Sequence, residues 1–394
     1  MRIVLHDYSG HPFQAQLSRE LARRGHEVRH LYSLDFQTPK GRLQGQADDP
    51  PGLTMEGVTL GERFQKDSFL KRRAQEVRFG RMVGRRIEQL RPDVVLSSNA
   101  PLDAQRGIVR ASRRAGAAFV FWMQDIYSEA ISRILTKQLG LAGRAVGAWY
   151  KQVEYGLLRG SARVVAISDD FTPILVAHGV TEERIAVVEN WAPLDEIAYC
   201  GPRAAPAPGA RLVFVYSGTL GYKHNPEILE QLADRLPIEL RVYSEGRAAD
   251  DLAVRARAKG LANLSVQPWV AYNELSGMLG AADVLLAMIE ADAGVFSVPS
   301  KVLTYLCAGR PILASIPPGN LAARLLHREG AGLVVSPGDG AALLAGAGAL
   351  VDDLALRSRL GEAGRAYAER AFDIKGLGDQ FEAILAGART TVKP

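Results

Sequence analysis

The sequence predicts an α/β fold of two domains, each a parallel sheet covered by helices. Three observations predict it. Short apolar runs alternate with helix-period stretches through both halves of the chain, as successive βαβ units do. At 394 residues the chain exceeds what one hydrophobic core usually supports. A segment rich in Pro, Ala and Gly, residues 201–210, interrupts the alternation near the middle, which places the domain boundary within 190–210. With 47% hydrophobic and 23% charged residues the composition is that of a globular protein. The two cysteines, Cys200 and Cys307, suggest neither a disulfide framework nor a cysteine metal site and fit a reducing cytoplasm. No apolar run approaches the ~20 residues that span a bilayer.

Ile3 to Leu5 reads as a buried first strand, its apolar run too short for a signal peptide. A polar loop, His6 to Pro12, leads to a helix from Phe13 to Arg24 closed by Gly25, and His26 to Leu31 forms the next strand. Residues 37–62, rich in Gly, Pro, Asp and Gln, read as a long irregular loop. A helical pattern follows from about Lys66 to Leu90. There Lys71, Arg72, Arg73, Arg78, Arg81, Arg85 and Arg86 interleave with Phe69, Leu70, Val77, Phe79, Met82, Val83 and Ile87. A basic amphipathic helix of this kind suits an anionic membrane surface; the plainer alternative is a solvated charged face. Through residue 190 the chain holds 28 Lys and Arg against 21 Asp and Glu, and beyond it 20 against 22, so the net +5 belongs to the first half. An anionic partner is implied for that half. No recognised nucleic-acid motif accompanies the basic stretch, which favours a membrane over nucleic acid.

Pro92 to Ser98 reads as a strand with its loop, and Ala118 to Trp122 as another, ending in Met123-Gln124-Asp125-Ile126-Tyr127. Polar groups at the carboxyl end of a parallel strand face the ligand crevice. Asp125 is therefore a candidate ligand-site group, with a helix N-cap as the alternative. Val164 to Ser168 is a strand, Asp169 to His178 a helix, and Ile185 to Val188 a further strand.

The second half restarts the alternation. Leu212 to Tyr216 is a strand, residues 217–223 a glycine-containing loop with Lys223 in reach of a phosphate, and Pro226 to Leu236 a helix. On spacing alone this motif is weak. Leu240 to Tyr243, Leu264 to Val266, Val284 to Met288 and Val334 to Ser336 supply further strands. The strongest site signal is residues 296–313, Phe-Ser-Val-Pro-Ser-Lys-Val-Leu-Thr-Tyr-Leu-Cys-Ala-Gly-Arg-Pro-Ile-Leu. Pro299 suits the first turn of a helix, which puts Ser300, Lys301 and Thr304 near its head, while Gly309 and Pro311 end it. A polar-headed helix between buried strands is where open α/β sheets hold phosphates; an ordinary packing helix is the alternative.

That stretch resembles the nucleotide-sugar loop and helix of the family 4 glycosyltransferases of the bacterial colanic-acid and O-antigen type, where Val-Pro-Ser-Lys-Val-Leu precedes Tyr-Leu and Ala-Gly-Arg-Pro. More loosely, Gly25-His26-Glu27-Val28 and the Trp-x-Gln-Asp-x-Tyr segment at 122–127 are similar to the same family. The resemblance implies a GT-B fold, two Rossmann-like domains facing each other across a cleft. Residues 1–192 would bind the acceptor, 193–371 the nucleotide sugar, and 372–394 would form a helix returning to the first domain. It further implies a retaining, metal-independent hexosyltransferase without a cofactor, located in the cytoplasm and peripheral on the inner face of the cell membrane. That enzyme would move a sugar from a nucleotide-diphosphate donor, a UDP-sugar first, to a lipid-linked or otherwise membrane-associated acceptor in surface polysaccharide synthesis.

In such a reaction negative charge builds on the departing diphosphate, and fixed cations and helix N–H groups stabilise it. Lys223, Lys301 and the head of the 300–308 helix are the groups expected there, with Asp125 as a further catalytic candidate. Donor contacts are expected from Ser217, Gly218, Leu220, Glu245, Trp269, Phe296, Ser297, Ser300, Val302, Leu303 and Thr304, and acceptor contacts from Gly10, His11 and Asp125. Three departures stand out. Gly10-His11-Pro12-Phe13 replaces a common Gly-Gly pair, and Thr219 stands where many members carry Arg. Phe296 and Thr304 stand where many members carry glutamates eight positions apart. Thr304 then offers only an uncharged hydrogen bond. A nucleotide-sugar 2-epimerase shares this architecture and would want additional carboxylates, and a catalytically silent scaffold would keep the fold without the chemistry.

Overall fold

The computed structural model describes the chain apart from residues 36–40, 63, 66–67, 99, 200, 205–206, 208, 291–298 and 392–394. It divides into two compact units, one of Met1–Glu189 with Ile374–Pro394, the other of Asn190–Asp373. Each is a parallel sheet with alternating helices, the α/β class that the alternation of apolar runs predicts and the Rossmann-like domains that the resemblance implies.

The first unit runs β1 (Arg2–Asp7), α1 (Pro12–Arg23), β2 (Glu27–Ser33), β3 (Leu53–Val58), α2 (Phe69–Leu90), β4 (Val94–Ser98), α3 (Leu102–Arg114), β5 (Ala118–Trp122), α4 (Tyr127–Arg159), β6 (Arg163–Ala166), α5 (Phe171–Ala177) and β7 (Ile185–Val187). Among the described residues its sheet order is β3-β2-β1-β4-β5-β6-β7. Val4 lies beside both Arg29 and Val95, so β1 is central, and the direction of strand addition reverses between β1 and β4. All of β4 and β5 is buried, because crossover helices cover both faces of a parallel sheet.

Two features differ from the sequence-based expectation. The irregular loop expected over 37–62 contains β3, paired in parallel with β2 from Val28 beside Leu53 to Ser33 beside Val58. β3 is an edge strand with only Val58 fully buried, so it needs no continuous apolar run and the pattern hides it. The second is α4, which no sequence pattern above announces. It breaks at Gly140, whose φ of 56° and ψ of −126° suit glycine, and folds back as two antiparallel helices. A Cβ on Gly143 would lie 2.0 Å from the Leu135 carbonyl oxygen, and one on Gly147 2.5 Å from the Ser132 hydroxyl, so the two arms pack through small residues.

The second unit runs β8 (Leu212–Ser217), α6 (Glu227–Arg235), β9 (Ile238–Tyr243), α7 (Arg247–Ala258), β10 (Leu264–Gln267), α8 (Tyr272–Gly280), β11 (Val284–Met288), α9 (Ser300–Ala308), β12 (Ile312–Ser315), α10 (Leu321–Glu329), β13 (Gly332–Val335), α11 (Gly340–Asp352) and α12 (Leu354–Ala371). Its strand order is β10-β9-β8-β11-β12-β13 among the described residues. Phe214, Tyr216, Leu240, Leu286 and Leu313 from its strands pack with Leu232, Leu252 and Leu343 from its helices. The order reverses between β8 and β11, and in open α/β sheets ligands bind outside the carboxyl ends of the strands at such a reversal. The loop following β8 borders that point. A last helix, α13 (Ile374–Arg389), belongs to the first unit.

Candidate functional site

In the second unit, β8 ends in a turn that α9 supports from below. Gly218 adopts φ 130°, a conformation open to glycine and rarely to other residues, and a Cβ there would meet Lys301 Nζ at 2.9 Å. Lys301 is half-buried on the first turn of α9. Its ammonium lies 4.3 Å from the centre of the Tyr216 ring and donates to the Tyr216 hydroxyl at 3.1 Å, which in turn donates to the Thr219 carbonyl at 2.7 Å. One helical turn on, the Tyr305 hydroxyl accepts the Ser217 N–H at 3.1 Å and lies 3.2 Å from the Ser217 carbonyl oxygen. The Leu220 N–H donates to Ser244 Oγ, and the Gly221 N–H to His224 Nδ1. This turn is therefore fixed by side chains from three neighbouring elements. Burial lowers the Lys301 ammonium from the ordinary lysine value to about 8. Among the described residues no carboxylate offsets that desolvation, which leaves a cation whose charge an arriving anion would stabilise.

The other donor-side candidates divide by environment. Lys223 is exposed and pairs with Glu290 at 2.9 Å. Glu245 and Trp269 are exposed at the carboxyl ends of β9 and β10, on the same sheet edge as the Gly218 turn. Ser300 is exposed at the head of α9, whereas Val302, Leu303 and Leu220 bury their side chains, so only their main chain can meet a ligand. The Thr304 hydroxyl donates to the Ser300 carbonyl at 3.0 Å within its own helix and keeps only its acceptor face open. Phe296 and Ser297 lie outside the described residues. A cavity of about 170 Å³ opens beside the turn, bounded by Lys223, His224, Asn225, Ser315, Gly338 and Asp339.

In the first unit the reversal between β1 and β4 carries the acceptor-side candidates. Asp7 ends β1, and its buried carboxylate accepts the N–H groups of Ser9, Gly10 and His11 at 3.0, 2.9 and 2.5 Å. Asp7 thus shapes the loop that holds Gly10 and His11. An Asp followed by Ser-Gly at a strand end is a turn signal that could have found it. Beneath the loop lies a neutral polar layer. His6 Nδ1 meets Ser97 Oγ at 3.0 Å, Ser97 donates to Gln105 at 2.8 Å, and Ser18 Oγ meets His30 Nδ1 at 2.8 Å. Burial holds both imidazoles down to about 3.

Asp125 lies just beyond β5, where partial desolvation of its carboxyl group raises its affinity for a proton, opposed by the Ile126 N–H that its Oδ1 accepts at 2.9 Å and by the Arg133 charge. The N-cap alternative for Asp125 gives way to a longer-range solution. The N–H groups of Tyr127 and Ser128 at the head of α4 donate to the two carboxylate oxygens of Glu154, both at 3.0 Å, from the returning arm of the same hairpin.

The basic helix α2 is less free than its sequence suggests. Arg72 pairs with Glu76 at 2.7 Å, Arg73 with Asp103 at 3.1 Å, Arg86 with Glu56 at 2.7 Å, and Arg78 with Glu62. Lys71, Arg81 and Arg85 have no such partner among the described residues. No described helix is long and apolar enough to cross a membrane.

Residues 11–191 match the model of a glycosyl transferase 4-like domain and residues 212–353 that of the glycosyl transferases group 1, which together take in most of the chain. A protein of Escherichia coli (strain K12), named as the colanic acid biosynthesis glycosyl transferase WcaI, is 24% identical over 306 residues, 74% of this chain and 73% of that one. Sucrose-phosphate synthase from Thermosynechococcus elongatus shares the fold with a TM-score of 0.74 at 13% identity, over 99% of this chain and 100% of that one. Anabaena HepE, solved with UDP-glucose, shares it with a TM-score of 0.66 at 15% identity, over 98% and 99%. The site geometry in each unit, the paired domain models and the colanic-acid relative lead to one assignment: the chain belongs to the family 4 glycosyltransferases of the GT-B fold.

Proposed function

We propose that this glycosyltransferase takes its sugar from a UDP-sugar, bound by the second unit, and delivers it to a lipid-linked acceptor held by the first, in the synthesis of a surface polysaccharide. The observation that carries the donor site is Lys301, a desolvated ammonium without a carboxylate partner among the described residues, set under the Gly218 turn at the head of α9. As the sugar–phosphate bond breaks, charge collects on the diphosphate, and a preset cation with free N–H groups at a helix start stabilises it without rearrangement. Lys223 would add a second cation. Its pair with Glu290 is exposed and contributes only about 0–1 kcal/mol, so a diphosphate can compete for it. The uracil base is supported by fold-level analogy to HepE, and the polysaccharide context by the colanic-acid relative. Asp125, Gly10 and His11 would receive the acceptor hydroxyl at the first unit's strand ends, and retention of configuration follows the family pattern.

The test is a melting experiment with UDP, GDP, ADP and dTDP, without added metal. UDP at about 100 times its dissociation constant stabilises by about 2.7 kcal/mol, a rise of roughly 5–10 °C for a unit of this size. Lys301→Ala and Lys223→Ala should each weaken that rise. Equal response to all four nucleotides would remove the uridine assignment, and no response to any would remove the donor site.

A further inference from the structure

The hairpin of α4 is built as a rigid projection. Its arms close on Gly143 and Gly147, and Glu154 ties the start of the first arm to the end of the second. Yet every residue from Lys137 to Ala142 is exposed, including Leu139 and Leu141, at 58% and 80%. Leu141, Ala145 and Trp149, four residues apart, share one exposed face of the second arm. Phe69 and Leu70, exposed at 43% and 76% on the first turn of α2, lie beside this arm, where Phe69 meets the buried Tyr150 ring edge-on at 6.5 Å between ring centres. Large apolar side chains gathered on one exposed element mark an interaction site.

Charge identifies the partner. From Ala130 to Val153 the chain carries no Asp or Glu, while Arg133, Lys137, Arg144 and Lys151 lie within that run. Lys151 pairs with Glu129, and Lys137 and Arg144 have no ionic partner among the described residues. Arg73 and Arg106 lie over the Trp149 ring at 5.5 and 5.4 Å. Two copies of the chain meeting through this patch would oppose like charges with no carboxylate from the hairpin's turn to pair them. Anionic lipid headgroups supply the missing charge and the acyl boundary beneath them takes up leucines. Each arm of about 13–19 residues is about 20–28 Å long, short of the ~30 Å hydrocarbon core, so the hairpin can enter one leaflet without spanning.

We propose that the turn of the α4 hairpin, together with the first turn of α2, docks this chain on an anionic phospholipid bilayer. Leu139, Leu141 and Leu70 enter the acyl boundary, and Lys137, Arg144 and Lys71 lie among the headgroups. This deepens, and rests on, the reading of a membrane-held acceptor: α4 begins two residues after Asp125, so its first arm, about 20 Å long, runs from the first unit's strand ends to the docked turn.

The experiment is flotation of the full chain with vesicles of phosphatidylcholine alone or mixed with phosphatidylglycerol. Binding is expected to the mixed vesicles, falling about tenfold in Leu139→Glu/Leu141→Glu and in Lys137→Glu/Arg144→Glu, and changing less than twofold in Arg81→Glu/Arg85→Glu on the body of α2. A UDP-dependent rise in melting temperature retained by each variant shows that the second unit is intact, and its absence from the parent would count against the transferase reading alone. Should Leu139→Glu/Leu141→Glu fail to fold, Leu141→Trp replaces it. Its added emission should shift to the blue and be quenched by brominated lipid. Unchanged flotation of the glutamate variant, an unshifted Leu141→Trp emission, or a parent dimer that the glutamate variant splits while vesicles are ignored would each overturn the proposal.

Discussion

Lys301 combines two demands that oppose each other. The proposed donor site needs a cation beside the diphosphate, and burial under Gly218 makes that charge costly in the absence of an anion. Because burial lowers its pKa to about 8, the folded chain binds fewer protons than the unfolded chain between there and the ordinary lysine range. This group's contribution to stability therefore rises with pH across that window, while its capacity to hold an anion falls. UDP affinity measured by calorimetry should drop as pH climbs above about 8, approaching about tenfold per unit, with proton uptake on binding. Lys301→Arg should flatten the profile, since guanidinium does not titrate there; an identical slope in that variant would assign the effect to another group. Gly218→Ala is a second test. Its φ of 130° and the 2.9 Å approach to Nζ predict a cost of about 1–3 kcal/mol, a fall of roughly 2–10 °C in the melting temperature of the second unit, and UDP binding weaker by about tenfold. Lys301 and Gly218 could be picked out from sequence because helix punctuation surrounds one and turn chemistry the other. Tyr216 could not, since an aromatic at the end of an apolar strand looks like core until its hydroxyl is seen holding both Lys301 and the Thr219 carbonyl. Tyr305, four residues beyond Lys301, was within reach of helical spacing.

Among the elements, the α4 hairpin shows why some structure escapes the sequence. Its decisive contacts, Glu154 to the head of its own first arm and Gly143 against Leu135, join residues 8 to 27 apart across a reversal that only Gly140 marks. An isolated glycine in a helical run reads as a tolerated defect, not as a turn. β3 escaped for a related reason, because an edge strand can be stable with half-buried, alternating side chains. The central strands were legible because burial on both faces demands unbroken apolar runs. Gly143→Val tests the hairpin directly. Its Cβ would lie 2.0 Å from a backbone oxygen that has no freedom to move, so the arms must separate. Trypsin should then cut at Lys137 and Arg144 about tenfold faster than in the parent, because local opening governs cleavage. Glu154→Gln should act in the same direction by about 1.5–3 kcal/mol, having lost the charge behind two hydrogen bonds, one buried and one part-buried. Unchanged cleavage in both would mean the arms are held by something other than these contacts.

At the scale of the molecule, the chain leaves the first unit after Glu189, builds the second, and returns with α13 to finish the first. The closing contacts are specific. Phe381 packs against Trp122 with ring centres 4.7 Å apart, Arg24 pairs with Asp379 and Glu382 at 2.6 and 3.0 Å, and His26 Nε2 meets Glu382 at 2.8 Å. The first core is thus incomplete until nearly the last residue is in place, whereas the second is continuous in sequence. The ion pairs of α13 are exposed at Asp379 and only part-buried at Glu382 and each contributes little beside the fully buried Phe381 ring, so attachment of the helix depends chiefly on Phe381. Phe381→Ala should cost about 3–5 kcal/mol, and roughly 6–20 °C in the melting temperature of the first unit. The second unit keeps its own core and its Gly218 turn, so the UDP-dependent transition should stay within a degree or two of the parent. A calorimetric trace with one transition moving and the UDP-responsive one fixed is the expected result. Equal displacement of both would show that the two cores melt as one, and the stability of each could then no longer be argued from its own contacts.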